Sequence, residues 1–192
     1  MQRVKRTPDR SISAGIAELS NHSSLETLLG EHASPESFCK SLARLFQVKP
    51  TEVALLRLEH GFLKFLFPPE LRTVGAIPLT SSSAVAAHTA TSKKLELFNS
   101  FNEVKHAGVF ETVRLGKSES GEITDHYPIQ KLMSAPVLSA DGQLLGVLEV
   151  CRKGADLKNA GPDFTMDDLQ QLEAAAQIAA RAEFMLTTPV VR

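Results

Sequence analysis

The stretch Leu132-Met133-Ser134-Ala135-Pro136-Val137-Leu138-Ser139-Ala140-Asp141-Gly142-Gln143-Leu144-Leu145-Gly146-Val147-Leu148-Glu149-Val150-Cys151 decides the fold. Asp141-Gly142 separates two apolar runs, and Asp-Gly in that setting favours a tight primed turn because both central residues must tolerate positive φ. The spacing predicts a β-hairpin. Its strands are apolar at nearly every position instead of alternating, so they belong at the centre of a sheet, covered on both faces. After Arg152-Lys153-Gly154 and a loop holding Gly161-Pro162, the phrase Phe164-Thr165-Met166-Asp167-Asp168-Leu169 opens a long helix that runs to Leu186. Thr165 can cap that helix and Asp168 can reach back as its box partner, with Phe164 and Leu169 at the staple positions.

Working outward, residues 1–22 are polar and basic and read as a mobile arm, and 187–192 as a frayed tail beyond the last helix. Residues 23–186 form one domain. Leu25, Leu28 and Leu29 recur at helical spacing, and Ser34-Pro35-Glu36 starts a second helix with Ser34 as N-cap and Pro35 at N1. That helix carries Phe38, Leu42, Leu45 and Phe46 on one stripe and ends near Val48-Lys49-Pro50. Residues 51–59 and 62–67 read as strands joined at His60-Gly61, and 71–79 resumes extended structure, with Pro78 at its edge or end. Thr80-Ser81-Ser82-Ser83 offers caps for a helix over 84–92. A short edge strand over 94–98, a helix over 101–112 and a possible lid over 113–131 complete the order. Helices, then strands, a helix, a hairpin and a long helix give an α+β fold: a mainly antiparallel sheet with the terminal helices on one face and the middle helices and loops on the other.

The chain has 192 residues, 43% of them hydrophobic, which is enough for a real core. Its 21 basic and 22 acidic residues nearly cancel, so charge implies neither a nucleic-acid groove nor a membrane surface. No apolar signal core follows the basic N-terminus and no run reaches membrane-spanning length, which points to a soluble, cytoplasmic protein. The two cysteines, Cys39 and Cys151, read as small buried apolar residues of a reduced compartment.

No Gly-rich phosphate loop, Gly-x-Ser-x-Gly elbow, His-Glu-x-x-His or spaced Cys/His set is present, and the six histidines share no metal-ligand spacing. The expectation is no metal site and no enzyme. Four features could serve a ligand or a partner. Ser81, Ser82 and Ser83 at a helix start either cap it or present hydroxyls and N–H groups to a polar ligand. Glu149 interrupts an apolar strand and needs a partner if buried: a salt bridge with Arg57 or Lys64, or a ligand that Arg57 would also contact. Arg114 and His126, beside the presumed lid, either close over a ligand or are solvated. The alanine-rich face with Ala175, Ala179 and Ala182 keeps the last helix slim, for packing on the first two helices or for a two-fold dimer seam.

The run Ala135-Pro136-Val137-Leu138, Asp141-Gly142, Leu145-Gly146-Val147-Leu148-Glu149-Val150, Arg152-Lys153-Gly154 and Phe164 to Leu172 closely resembles the C-terminal half of GAF domains. The order of elements before it also fits, so the resemblance covers roughly residues 23–186. It implies a six-stranded antiparallel sheet, a pocket between the sheet and the middle helices and loops, and dimerisation through terminal helices. Cyclic-nucleotide-binding members carry an Asn-Lys, Phe, Asp, Glu signature; Lys153, Phe164 and Asp168 match it, whereas Arg152 and Leu169 replace the Asn and the Glu. Neither Cys39 nor Cys151 stands where bilin-binding or free-methionine-sulfoxide-reducing members place theirs, so both activities are set aside. The resemblance implies a stand-alone sensory module. It would bind a small molecule of unknown identity, cofactor unknown, and signal through a homodimer or an effector protein in trans. The alternative is a ligand-free dimerisation or scaffold module.

Overall fold

The computed structural model describes residues 24–30, 34–73, 75–101 and 127–186. Its elements in chain order are α1 over 24–29, α2 (Pro35–Leu45), β1 (Val53–Glu59), β2 (Phe62–Phe67), β3 (Ala76–Pro78), α3 (Val85–Ser92), β4 (Glu96–Phe98), β5 (Ile129–Leu138), β6 (Leu144–Lys153), α4 (Met166–Ala179) and α5 (Glu183–Leu186). The arm over 1–22, the tail over 187–192, and most of the expected helix over 101–112 and lid over 113–131 lie outside the described residues.

Local chemistry sets the element ends. Ser34 accepts the Ser37 N–H at 3.2 Å while Pro35 takes the first helical position, and α2 ends where Gln47 turns to positive φ. Thr165 and Asp168 form the reciprocal box at the start of α4: the Asp168 N–H donates to Thr165 Oγ1 at 3.1 Å, and the Thr165 N–H to Asp168 Oδ2 at 2.7 Å. Phe164 and Leu169 are both buried beside it in one core cluster, as staple residues should be. His60 and Gly61 both take positive φ between paired Glu59 and Phe62, the signature of a primed two-residue turn.

Six strands form one sheet in the order β3-β2-β1-β6-β5-β4, and every pairing is antiparallel. The hairpin thus supplies the centre, with β6 between β1 and β5. One face holds Val53, Leu55, Met133, Leu148 and Val150 against α1, α2 and α4, with Phe38, Leu42, Leu172 and Ala179 opposite them. The other holds Ala54, Leu56, Leu132, Val147 and Cys151 against Val85, Ala87 and Ala90 of α3.

Three local expectations need correction. The Asp141-Gly142 turn is not primed: the Gly142 N–H donates to the Ser139 carbonyl at 2.9 Å, Ala140 and Asp141 sit at its centre, and of the pair only Gly142 has positive φ. A register shift between Val137 and Leu138 absorbs the extra residue, as in a three-residue hairpin loop with a glycine bulge. The last helix does not run to Leu186. Arg181 and Ala182 donate to the carbonyls of Ile178 and Ala179, three residues back, and the tightened turn redirects the chain into α5. Finally, Ala84 is the N-cap of α3 and makes no side-chain bond, so the serines before it are not its caps.

Gly146 is the position with least latitude. A Cβ there would run into the backbone carbonyl of Leu56 on the neighbouring strand and come within 2.8 Å of Met185 Cε, which α5 lays across it. Gly146→Ala is expected to lower unfolding free energy by about 2–3 kcal/mol through overpacking, read as a lower urea midpoint with unchanged slope. Thr165→Ala is expected to cost about 1 kcal/mol in the same assay.

Candidate functional site

A polar chain crosses the α3 side of the sheet. Ser134 on β5 and Glu149 on β6 are direct partners across the hairpin, and the Ser134 hydroxyl lies 3.3 Å from Glu149 Oε1. Thr89 from α3 completes the contact, with Oγ1 at 2.8 Å from Ser134 Oγ and 3.2 Å from Glu96 Oε2 on β4. Glu96 in turn meets Nδ1 of His88, one residue before Thr89, whose side chain is 65% exposed. Four elements therefore place hydroxyls and carboxylates in one line from core to surface. Glu149 is only 7% exposed, and its hydrogen-bond partner among the described residues is Ser134. Burial pushes its carboxyl up to about 7; the Ser134 hydroxyl opposes that shift and the nearby Glu96 charge adds to it.

The salt bridge considered for Glu149 does not form. Arg57 lies on the opposite face of the sheet, where its Nε donates to Glu59 Oε1 at 2.9 Å and its Nη1 to the Phe184 carbonyl at 2.9 Å. Lys64 reaches the other oxygen of the same Glu59 at 2.8 Å. Alternation along β1 explains the separation, since Arg57 follows Val53 and Leu55 toward the terminal helices. Ser82 and Ser83 are exposed, Ser81 is half-buried, and Ser81 and Ser83 face each other at 3.4 Å; no hydrogen bond joins them to Glu149. Arg114 and His126 lie outside the described residues. Ala175 and Ala179 are fully buried within the chain, where small side chains let α4 settle on the sheet, so they are not a free dimer seam; Ala182 is half-buried.

Sequence reading missed Thr89, Glu96 and His88, and saw Ser134 only as part of a strand. A signal was present for Ser134: it is the polar interruption that pairs with Glu149 once the hairpin register is counted. The residues of the cyclic-nucleotide signature all have structural work. Arg152 lies over the Phe164 ring at 4.7 Å, Lys153 Nζ donates to the Thr51 carbonyl at 3.1 Å, and Asp168 closes the capping box. Asn99 adds a reciprocal pair to the Phe164 backbone, 2.9 Å in each direction. Cys39 and Cys151 are buried on opposite faces of the sheet, and burial pushes the Cys39 thiol up. Two clefts open elsewhere among the described residues. One of about 410 Å³ lies between Leu29, Phe38 and Ile178, and one of about 810 Å³ beyond the end of β6. Among the described residues there is no group of three metal-ligating side chains, and no helix is long and apolar enough to cross a membrane.

Solved structures share this architecture. The GAF domain of an Acinetobacter phosphoenolpyruvate-protein phosphotransferase is similar with a TM-score of 0.57 and 11% identity, over 85% of this chain and 90% of that one. The free methionine-R-sulfoxide reductase (fRMsr) of Staphylococcus aureus, in complex with substrate, is similar with a TM-score of 0.53 and 14% identity, over 96% of this chain and all of that one. A methyl-accepting chemotaxis protein, residues 122 to 287, gives a TM-score of 0.53 and 14% identity, over 83% and 92%. No curated protein sequence matches. The reductase corrects the expectation that this chain is not an enzyme: the same fold carries catalysis, so the lack of a familiar catalytic motif is no ground for excluding it. The GAF domain model matches residues 36–183, the span that holds the whole sheet and the capped helix α4, and the chain belongs to the GAF domain family.

Proposed function

We propose that this chain is a sensory or regulatory module that binds a small molecule on the α3 side of its sheet and passes the bound state on through contacts with a second copy or a partner protein. The family is generally sensory or regulatory. The observation that carries the reading is Glu149, a carboxyl kept in the core with a serine hydroxyl as its partner among the described residues. An isolated buried carboxylate is costly. The hydroxyls of Ser134 and Thr89, buried with it, extend it into a polar cluster whose chemistry matches a ligand that brings N–H or O–H donors or a positive charge. Output through the terminal helices is supported by Leu28 of α1 and Leu186 of α5, which are 46% and 59% exposed.

Native mass spectrometry of the purified chain and calorimetric titration with a metabolite panel, including cyclic nucleotides and amines, test the binding. The expected outcome is a ligand whose affinity drops at least about tenfold in Glu149→Gln, the loss of one charge-assisted hydrogen bond, and whose addition changes the mass seen by light scattering. If no member of the panel binds and no ligand copurifies, the chain is instead a ligand-free scaffold.

Glu149 also sets a pH dependence. Its folded-state affinity for a proton is raised, so the stability it contributes is complete below the ordinary carboxylate range and is lost as pH rises toward about 7, where the buried group ionises. Glu149→Gln removes that titration. Urea unfolding of both forms from pH 5 to pH 8 should show the variant gaining on the native chain by on the order of 2–3 kcal/mol across the window. Parallel curves would show that Glu149 does not titrate there.

A further inference from the structure

A second cleft lies away from α3, where the loop after β6 faces the connection between α2 and β1. The 810 Å³ cleft there is lined by Lys49, Arg152 and Lys153, with Glu52 as the acidic side chain among them. Glu52 is buried and already engaged: Oε1 accepts the Lys153 N–H and Oε2 the Lys49 N–H, both at 2.7 Å. Arg152 has no carboxylate partner among the described residues. Its Nη1 and Nη2 donate to the carbonyls of Gln47 and Phe46 at 3.4 and 3.1 Å, and its Nε, shut off from solvent, has no acceptor among the described residues. A guanidinium held flat by a ring and two carbonyls keeps further Nη hydrogens toward the cleft, and these suit an oxyanion, which accepts several N–H groups at once.

The loop is built to keep this shape. Gly154 lets Ala160 close over it, since a Cβ there would come within 2.7 Å of the Ala160 backbone nitrogen, and Gly161, at φ +94, passes beside the Arg152 side chain. The acids of the loop are occupied elsewhere: Asp156 by Asn159, and Asp163 by Lys131. Tyr127, 42% exposed, and Pro162 add apolar surface to the same cleft.

We propose that this cleft is a second ligand site, specific for a small organic anion whose carboxylate or phosphate sits on Arg152, Lys49 and Lys153 and whose body lies against Tyr127. It is independent of the site proposed beside Glu149, so either can fail alone. The full chain is titrated by amide NMR with phenyl phosphate, benzoate and inorganic phosphate at constant ionic strength. Saturable shifts confined to the amides of Gly154, Asn159 and Gly161 are expected, and stronger binding of phenyl phosphate or of benzoate tells which oxyanion the site takes. Arg152→Gln should weaken binding at least about tenfold, consistent with loss of a charge-assisted pair. Because Arg152 also packs on Phe164, the exposed Lys49→Gln serves as the second variant and should weaken binding about two- to fivefold without shifting the melting temperature. The proposal is overturned if none of the three probes gives saturable shifts, if the shifts vanish in moderate chloride, or if Lys49→Gln binds as tightly as the native chain.

Discussion

Strand β6 is buried on both faces along most of its length, and nearly everything else in the fold answers to that constraint. It lies between β1 and β5, with α4 and α2 over one face and α3 over the other. With no solvent on either side, each of its residues must be apolar, absent or partnered. Val147, Leu148 and Val150 are apolar; Gly146 has no side chain and so admits the Leu56 carbonyl and Met185; Glu149 is partnered by Ser134. The constraint reaches the C-terminus too. Covering Gly146 requires Met185 to lie across the sheet, and the tight turn at Arg181 and Ala182 is what delivers it there while the Phe184 carbonyl receives Arg57.

The parts of this architecture legible in the sequence are those fixed by residues close in the chain. Ser34-Pro35, the Thr165–Asp168 box and the His60-Gly61 turn each follow from interactions within four residues, and each forms. The central place of the hairpin was legible because two continuous apolar strands need cover on both sides. The turn at Asp141-Gly142 differs from the expected type and yet not in consequence. Its extra residue is returned by the bulge at Val137 and Leu138, so Ser134 still meets Glu149. Register is held by the buried side chains of the strands, and the turn accommodates them.

The polar partners were not legible, because they come from distant parts of the chain. Thr89 stands 45 residues before Ser134, and it reaches that serine only because α3 packs across β5 and β6. Arg57 and Glu149 look like natural partners by charge, and strand alternation puts them on opposite faces. The alanines of α4 show the same limit: their spacing says that something approaches closely, and only the assembled fold shows that it is the sheet. Function is harder still. A reductase and a methyl-accepting chemotaxis protein share this backbone path at 14% identity, so what distinguishes the present chain resides in the side chains it sets on the common frame.

The line from Glu149 to His88 shows how such side chains can make a fold responsive. A hydroxyl has one proton to give, so the direction of the hydrogen bonds depends on charge at the buried end. When Glu149 is ionised, Ser134 donates to it and Thr89 can donate to Ser134. When Glu149 is protonated, it can donate to Ser134, which frees Thr89 to donate to Glu96, 3.2 Å away on the edge strand. Glu96 is also held by the exposed His88, so the same reversal alters what holds α3 to β4. A ligand that supplies a donor to Glu149 favours the first arrangement over the second. The core carboxyl is therefore joined to the surface by a continuous line of hydroxyl and carboxylate contacts.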